Sequence, residues 1–479
     1  MRPRTLLILL ALVAGLGAFI WFYERDLPSS EERAAQAKKI LAIEKDDVQA
    51  VTLESGGAVV ALERVPGKDE KDGKAAKDGE AEGEKGEEAA PVSVEWRMTR
   101  PLQARADTFA VDGLLDALAN LEKTRTLEDI DPAQVGLDKP QAVVRLRTKQ
   151  GEKVLQIGAP VPTGGAVIAR IAGEKEAHVV SDSILTEIRR EPGTWRDRRL
   201  FQADRAAVGA VRLVSGGSDT TLSQKGPGFQ VAGDPADRER VEELFADLDS
   251  LSAETFLDQP GRAPAELGLA PPQAVVQVAM KGRPAVRIEI GGVVEGATPP
   301  TAESGEAAQA DLRYARVDGQ LVETRTRLLE LATRPAAEWR SPLLSALEVH
   351  QVDSVTVNEP QGGPALTLTR AGTDWKRGDQ MISYVPVSDL LFALTGARAD
   401  RLLAPSEAQP AQAVLTFTLQ GKAGAETLTL YPETPGGSAA RASDRGTVLL
   451  LPPGKLGEIR ERLAAVRKAE PLKAEATAQ

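Results

Sequence analysis

The chain has no cysteine, two histidines in 479 residues, and aromatic side chains at only 4% of positions. Without cysteine there are no disulfides, thiolate metal sites, cysteine nucleophile or lipid-modified cysteine. His178 and His350 cannot form a multi-histidine metal site by themselves. Both fall in strand or strand-edge segments with no partner motif, and His178 reads as a strand residue near the surface. Nucleophile elbows, phosphate loops, zincin helices and calcium loops are missing. So is an excess of positive charge: 59 basic against 70 acidic side chains leave a net of −11. That balance argues against nucleic acid or an anionic membrane surface as the main partner, because both need a basic face. Seventy carboxylates make some acidic pair in a cleft almost inevitable, but a pair means little without its separation in space. No catalytic, cofactor-binding or metal-ligating residue is therefore assigned, and the chain reads as a non-enzyme without cofactors.

One long apolar run is present. After Met1-Arg-Pro-Arg come the 18 uncharged residues Leu6 to Tyr23, which close on Phe19-Ile-Trp-Phe-Tyr23 and are followed by Glu24-Arg-Asp. At about 1.5 Å per residue they span roughly 27 Å, enough for a bilayer core. Arg2 and Arg4 stay cytoplasmic under the positive-inside bias, and the aromatic end marks the far interface. Residues 1–27 are thus expected to form a cytoplasmic start and a single transmembrane helix of a bacterial inner membrane, with the bulk of the chain extracytoplasmic. The competing reading, a cleaved signal peptide, needs small residues where the aromatic cluster stands. Residues 28–46 read as a stalk, in which a capping box at Ser29 and Glu32 could start a short helix through Ile43.

The rest reads as three copies of one module. Val111/Leu114/Leu115/Leu118/Leu121, Val241/Leu244/Phe245/Leu248/Leu251 and Val387/Leu390/Leu391/Leu394/Ala397 each follow the i, i+3, i+4, i+7, i+10 stripe of an amphipathic helix. Strands open each copy at Val48, Val208 and Val352 and run into Gly-rich turns at Gly56-Gly57, Gly216-Gly217 and Gly362-Gly363. An aromatic follows on a later strand, Trp96, Phe229 or Trp375, and is expected to meet the helix stripe in one core. Gly136-Leu-Asp-Lys-Pro-Gln-Ala-Val-Val144 recurs as Gly268-Leu-Ala-Pro-Pro-Gln-Ala-Val-Val276, with only a trace at 410–414. Trp195-Arg196 and Trp339-Arg340 stand 13 residues before the next opening and read as junctions; the arginines could pair with carboxylates of the neighbouring unit or stack on a ring.

The fold class is α+β, three repeated units of antiparallel meanders with one or two packed helices each. Their expected extents are 47–203, 204–346 and 347–468, with a disordered tail at 469–479. Two low-complexity stretches, 66–90 and 293–311, lack the apolar side chains that would offset the entropy of ordering them and read as disordered loops. In the first, residues 67–90 carry five lysines and nine acidic residues, a local net of −4.

The anchor, the opening Val48-Gln-Ala-Val-Thr-Leu53, the strand with Trp96-Arg97, the helix Asp112-Gly-Leu-Leu-Asp-Ala-Leu118 and Gly136-Leu-Asp-Lys-Pro140 together resemble the bacterial family called domain of unknown function 4340. The resemblance covers nearly the whole chain and rests on residues that determine fold. Members of that family are often encoded beside ABC-type transporters. The resemblance therefore implies a membrane-anchored accessory or scaffold subunit, partnered by an ABC-type permease or auxiliary membrane proteins. A periplasmic lipid- or glycan-binding module, requiring an apolar groove between the sheet and helix of one unit, is the alternative; a cell-wall polysaccharide-processing enzyme is a more distant one.

Overall fold

The computed structural model describes residues 36–66, 94–202, 204–226, 228–259, 261–297, 310–360, 362–407, 412–422 and 424–472. Leu6 to Tyr23, the Ser29/Glu32 capping box, most of 66–90 and residues 298–309 lie outside them. Among the described residues no helix is long and apolar enough to cross a membrane. The chain divides into two compact bodies, one up to Arg198 with repeat 1 and one from Arg199 onward with repeats 2 and 3.

Repeat 1 is a nine-stranded antiparallel sheet. Its strands are β1 (Val48–Ser55), β2 (Ala58–Pro66), β3 (Val94–Arg100), β4 (Ala104–Arg105), β5 (Arg125–Leu127), β6 (Ala142–Thr148), β7 (Gly151–Pro160), β8 (Ala166–Ile171) and β9 (Ala177–Ser181), with helices α1 (Thr108–Ala119) and α2 (Ser183–Ile188). The spatial order is β4-β3-β2-β1-β6-β7-β8-β9-β5. Two four-strand meanders therefore run outward from a central β1/β6 pair, and each is followed by a helix. After α1 the chain pairs β5 against β9 at one edge; after α2 it pairs Arg196 with Ala106 beyond β4 at the other. Each repeat is thus itself two similar halves, a symmetry the sequence pattern does not display because α1 has twelve residues and α2 six.

Alternation in the strands sets the two faces of the sheet. Val48, Val51 and Leu53 of β1, with Val144 and Leu146 of β6, share one core with Val111, Leu114, Leu115 and Leu118 of α1 and with Ile184, Leu185 and Ile188 of α2. Burying each such side chain stabilises by roughly 1.5–3 kcal/mol. Asp107 starts α1 by accepting hydrogen bonds from the Phe109 and Ala110 N–H groups. The opposite face carries Thr52, Glu54, Arg145 and Arg147, with Arg145 on Glu54 at 3.0 Å. Such an exposed pair adds little stability, so the helix-covered face holds the sheet together.

Repeats 2 and 3 have the same nine-strand order. Their long helices, Arg238–Ser250 and Tyr384–Thr395, are capped by Asp237 and Ser383. The molecule is mostly β, with few helices and all of the described ones gathered over the sheets, which refines the α+β expectation. In repeat 3 the helix-free face carries the cross-strand row Thr367, Thr356, Thr418 and Thr427, a β-branched residue suited to a half-exposed pleat.

Several boundaries differ from expectation. The described part of the 28–46 stalk belongs to repeat 1: helix ends by Lys38, the Ile40 N–H donates to the Leu121 carbonyl, and Leu41 is fully buried. The Leu200 N–H bonds Leu251 and the Leu344 N–H bonds Ala397 in the same way. All three segments lie eight residues before the opening strand, so each repeat begins with a lead-in that closes onto the end of its own long helix. In the 469–479 tail, Pro471 pairs with Ile382 and the Leu472 N–H bonds Met381. This is the position that Arg196 and Arg340 occupy in repeats 1 and 2, so repeat 3 has its closing segment too. A longer helix, Lys455–Lys468, precedes it and buries Leu463 and Val466 in the core. The ends of 293–311 are also ordered: Val293 finishes a strand and Ala310 is buried.

Candidate functional site

Beside the tip of the β1/β2 hairpin in repeat 1 lies a cleft of about 580 Å³, within the range of small-molecule sites. Leu53 and Val60 form its floor, Pro140 and Pro192 its sides, and the C-terminal end of α2 its roof through Ile188, Arg189 and Arg190. The sheet fixes the floor, because Ser55 pairs with Ala58 and donates its hydroxyl to the Gln141 carbonyl. The Gln141 side chain donates to the Gly158 carbonyl, which leaves its own oxygen to accept from Arg189. Arg190 is ion-paired to Glu187 at 2.7 Å and lies over the Trp195 ring at 5.7 Å. Among the described residues no acidic side chain lines the cleft.

The Gly-Leu motif beside this cleft is a packing device. Gly136 and Gly268 have φ of +67° and +68°, a region that favours glycine. Leu137 and Leu269, which follow them, are each only 2% exposed. A Cβ on Gly158 or Gly291, in the facing strand, would lie 2.4 or 2.3 Å from the carbonyl oxygen of Val135 or Leu267. The strands approach the loop too closely for any side chain there.

A second concentration of polar groups joins repeats 2 and 3. Asp234, 4% exposed, accepts from the Gly446 N–H at 2.8 Å and the Thr447 N–H at 3.3 Å and pairs with Arg340 at 3.0 Å. Arg445 is buried, pairs with Asp444 and donates to the Ser341 and Leu343 carbonyls. Ser345 donates to Glu426 at 2.5 Å, and the Ala346 N–H donates to the other oxygen at 3.2 Å. Burial pushes the Glu426 carboxyl above the ordinary glutamate range, and the Ser345 bond pulls against it. Asp247 is raised likewise by burial and held back by the Arg327 N–H and the Thr326 hydroxyl. These groups hold backbone segments in place.

The residues singled out in the sequence scatter through the molecule. Trp96, Trp195, Trp339 and Trp375 are all buried in repeat cores, and Phe229 packs on Phe245 at 5.5 Å between ring centroids. The indole N–H groups of Trp195 and Trp339 have no hydrogen-bond partner among the described residues. Arg196 is buried, and Arg340 pairs with Asp234 of its own repeat rather than with a neighbour. Arg190, Arg334 and Arg370, each five residues before a tryptophan, stack on Trp195, Trp339 and Trp375 instead; that shared spacing was the available signal. His178 is only 4% exposed, not near the surface. Its Nδ1 lies 3.2 Å from the Thr126 hydroxyl, and burial, with Lys123 nearby, lowers its pKa. His350 is exposed beside Glu348 at 3.3 Å. Among the described residues no group of three or more His, Asp or Glu is placed to hold a metal ion.

No curated protein and no solved structure matches the chain. The model of the family described as Domain of unknown function (DUF4340) matches residues 96–234 and again residues 229–415. Each match begins at the aromatic strand, Trp96 or Phe229, and runs beyond the opening strand of the following repeat. Together they cover more than half of the chain, which therefore belongs to the DUF4340 family.

Proposed function

We propose that the chain is a membrane-anchored extracytoplasmic scaffold, an accessory subunit of an ABC-type transporter complex that does no catalysis itself. On this reading Leu6 to Tyr23 anchors it in a bacterial inner membrane, and an ABC-type permease or an auxiliary membrane protein is its partner. The observation that carries the reading is the threefold recurrence of one sheet, with helices on one face and the other face clear of them. Units repeated in series offer several extended surfaces. Confinement to a membrane raises the effective concentration of each surface at a partner in the same membrane, so weak contacts suffice. Two of the buried carboxylates, Asp234 and Glu426, fix a closing and a lead-in segment, as a scaffold requires.

The test is affinity purification of the full-length protein from its native membrane in mild detergent, with mass spectrometry against an anchorless control. Recovery of a permease and an ATPase with the anchored form alone supports the reading. Recovery of the protein by itself removes its main support. A second reading, a binding module for a lipid or glycan, is favoured by one feature: the repeat 1 cleft lies between the sheet and a helix of a single repeat.

A further inference from the structure

We infer that the repeat 1 cleft binds a small amphipathic carboxylate, with its anionic head on Arg189 and its hydrocarbon on Ala58, Pro140 and Pro192. This rests on the binding-module reading and is independent of the transporter partner. The apolar part follows from the lining, where Ala58, Pro140 and Pro192 are open to the cleft and Leu53, Val60 and Ile188 back it from the core. The charge follows from pairing. Arg190 is neutralised by Glu187, whereas among the described residues Arg189 bonds the neutral Gln141 oxygen and no carboxylate. Its other guanidinium N–H groups form a planar fork suited to a carboxylate. Because Gln141 is itself tied to Gly158, the guanidinium is held in place at the mouth before any ligand arrives.

Repeat 2 shows that the fold does not need these features. Counting from the tryptophan that both repeats carry, Trp195 or Trp339, Arg189 corresponds to Thr333 and Arg190 to Arg334; counting along the hairpin, Ala58 corresponds to Ser218. In repeat 2 the Ser218 hydroxyl reaches the Arg334 carbonyl at 3.5 Å, and the turn Ala336–Trp339 rests against the hairpin strand. The gap is bridged there. In repeat 1, Ala58 has no hydroxyl to make that bond, and Ala58 and Arg190 instead line an open cleft. Repeat 1 therefore differs from its sister in both respects that a ligand would use, an opening and an uncompensated cation.

The experiment uses the full chain in maltoside micelles, with ligand-observed saturation-transfer NMR of octanoate, octanol and acetate, each against a micelle-only blank. Saturable binding of octanoate, at least tenfold weaker octanol and no acetate binding is the expected result. Arg189→Thr, which installs the repeat 2 residue at an exposed position, should weaken octanoate at least tenfold without lowering the melting temperature. Ala58→Phe, which fills the opening, should abolish binding of octanoate and octanol alike. Octanol bound as well as octanoate, or octanoate unaffected by Arg189→Thr, overturns the anionic assignment while leaving an apolar site. No saturable binding of any probe overturns the binding-module reading with it.

Discussion

Replacing Glu426 with glutamine should stabilise repeat 3 at pH 8, although it removes a residue making two hydrogen bonds. The carboxyl is 4% exposed, with Asp444 adding repulsion and Arg445 a smaller attraction. Its folded pKa lies above the unfolded value of about 4.5, so the folded state binds more protons than the unfolded one. Stability then falls as pH rises from about 4.5 through the folded pKa, and the loss is complete above it. Each unit of difference is worth about 1.4 kcal/mol. Glutamine removes this cost. Its carbonyl oxygen can serve the Ala346 N–H, and its amide can donate to the Ser345 oxygen, reversing that bond. Alanine removes the cost as well but leaves the Ser345 hydroxyl and the Ala346 N–H without acceptors, at about 1–3 kcal/mol for each buried group. The expected order at pH 8 is Gln, then Glu, then Ala, converging toward Glu at or above Gln near pH 4.5. Thermal unfolding followed by tryptophan fluorescence from pH 4.5 to 8.5 reads this directly, since Trp375 lies in the same core. If the glutamine variant keeps the wild-type pH slope, or is as unstable as the alanine variant at pH 8, the buried charge is compensated and the reasoning fails.

Repeat 1 should respond to acid in the opposite sense. The His178 pKa is lowered below 6.5 by burial, so stability is lost as pH falls from about 6.5 through the folded value; His178→Gln should abolish that slope in amide exchange of β5 and β9. Gly291→Ala places a methyl 2.3 Å from the Leu267 oxygen and should cost about 1–3 kcal/mol, measured by urea unfolding, whereas Gly216→Ala meets nothing within 4 Å and is expected to act only through its backbone angle. Asp234→Ala strips the Gly446 and Thr447 N–H groups and leaves Arg340 without its carboxylate. About 3 kcal/mol should be lost, with hydrogen exchange rising first at residues 446 and 447.

The three repeats, their helix stripes and the aromatic strands were legible because each rests on periodicity. Alternation of two and spacing of three or four report which residues face the core, and the core is what the repeats share. The lead-in segments were not legible. Lys39, Arg199 and Leu343 form one bridge each, too short for any period, so the first of them reads as a stalk. The closing segment of repeat 3 was hidden for a similar reason: Pro471 and Leu472 act through one backbone pairing, and their neighbours resemble a tail. The buried state of His178 depends on strand order, β8-β9-β5, which no local pattern encodes. The cleft depends on an absent hydroxyl at Ala58 and an extra charge at Arg189, and both are visible only once the repeats are superposed by structural position.

That comparison exposes a rule for where this fold tolerates chemical change. Lys153 in β7 grips the Ala42 carbonyl of the first lead-in, while Glu426, at the matching register in repeat 3, grips the Ala346 N–H. The strand position and the segment it holds are the same, but the polarity is reversed. Outside the core, Lys45 pairs with Asp116 on the long helix at 2.6 Å, and Arg205 at the same place uses Glu242 and lies over Phe245 at 5.1 Å. In repeat 3 the corresponding residue is Val349, packed against the core, and Asp116 corresponds to Phe392, which is 63% exposed. The lead-in is thus tethered to the sheet in repeats 1 and 3 and to the long helix or the core in all three, and charge, hydrogen bonding or apolar contact can serve. Sheet order and the helix stripe carry the stability common to all three, which leaves the rims free to diverge. A cation and an opening could therefore accumulate at one rim, in repeat 1, without disturbing the sheet beneath them.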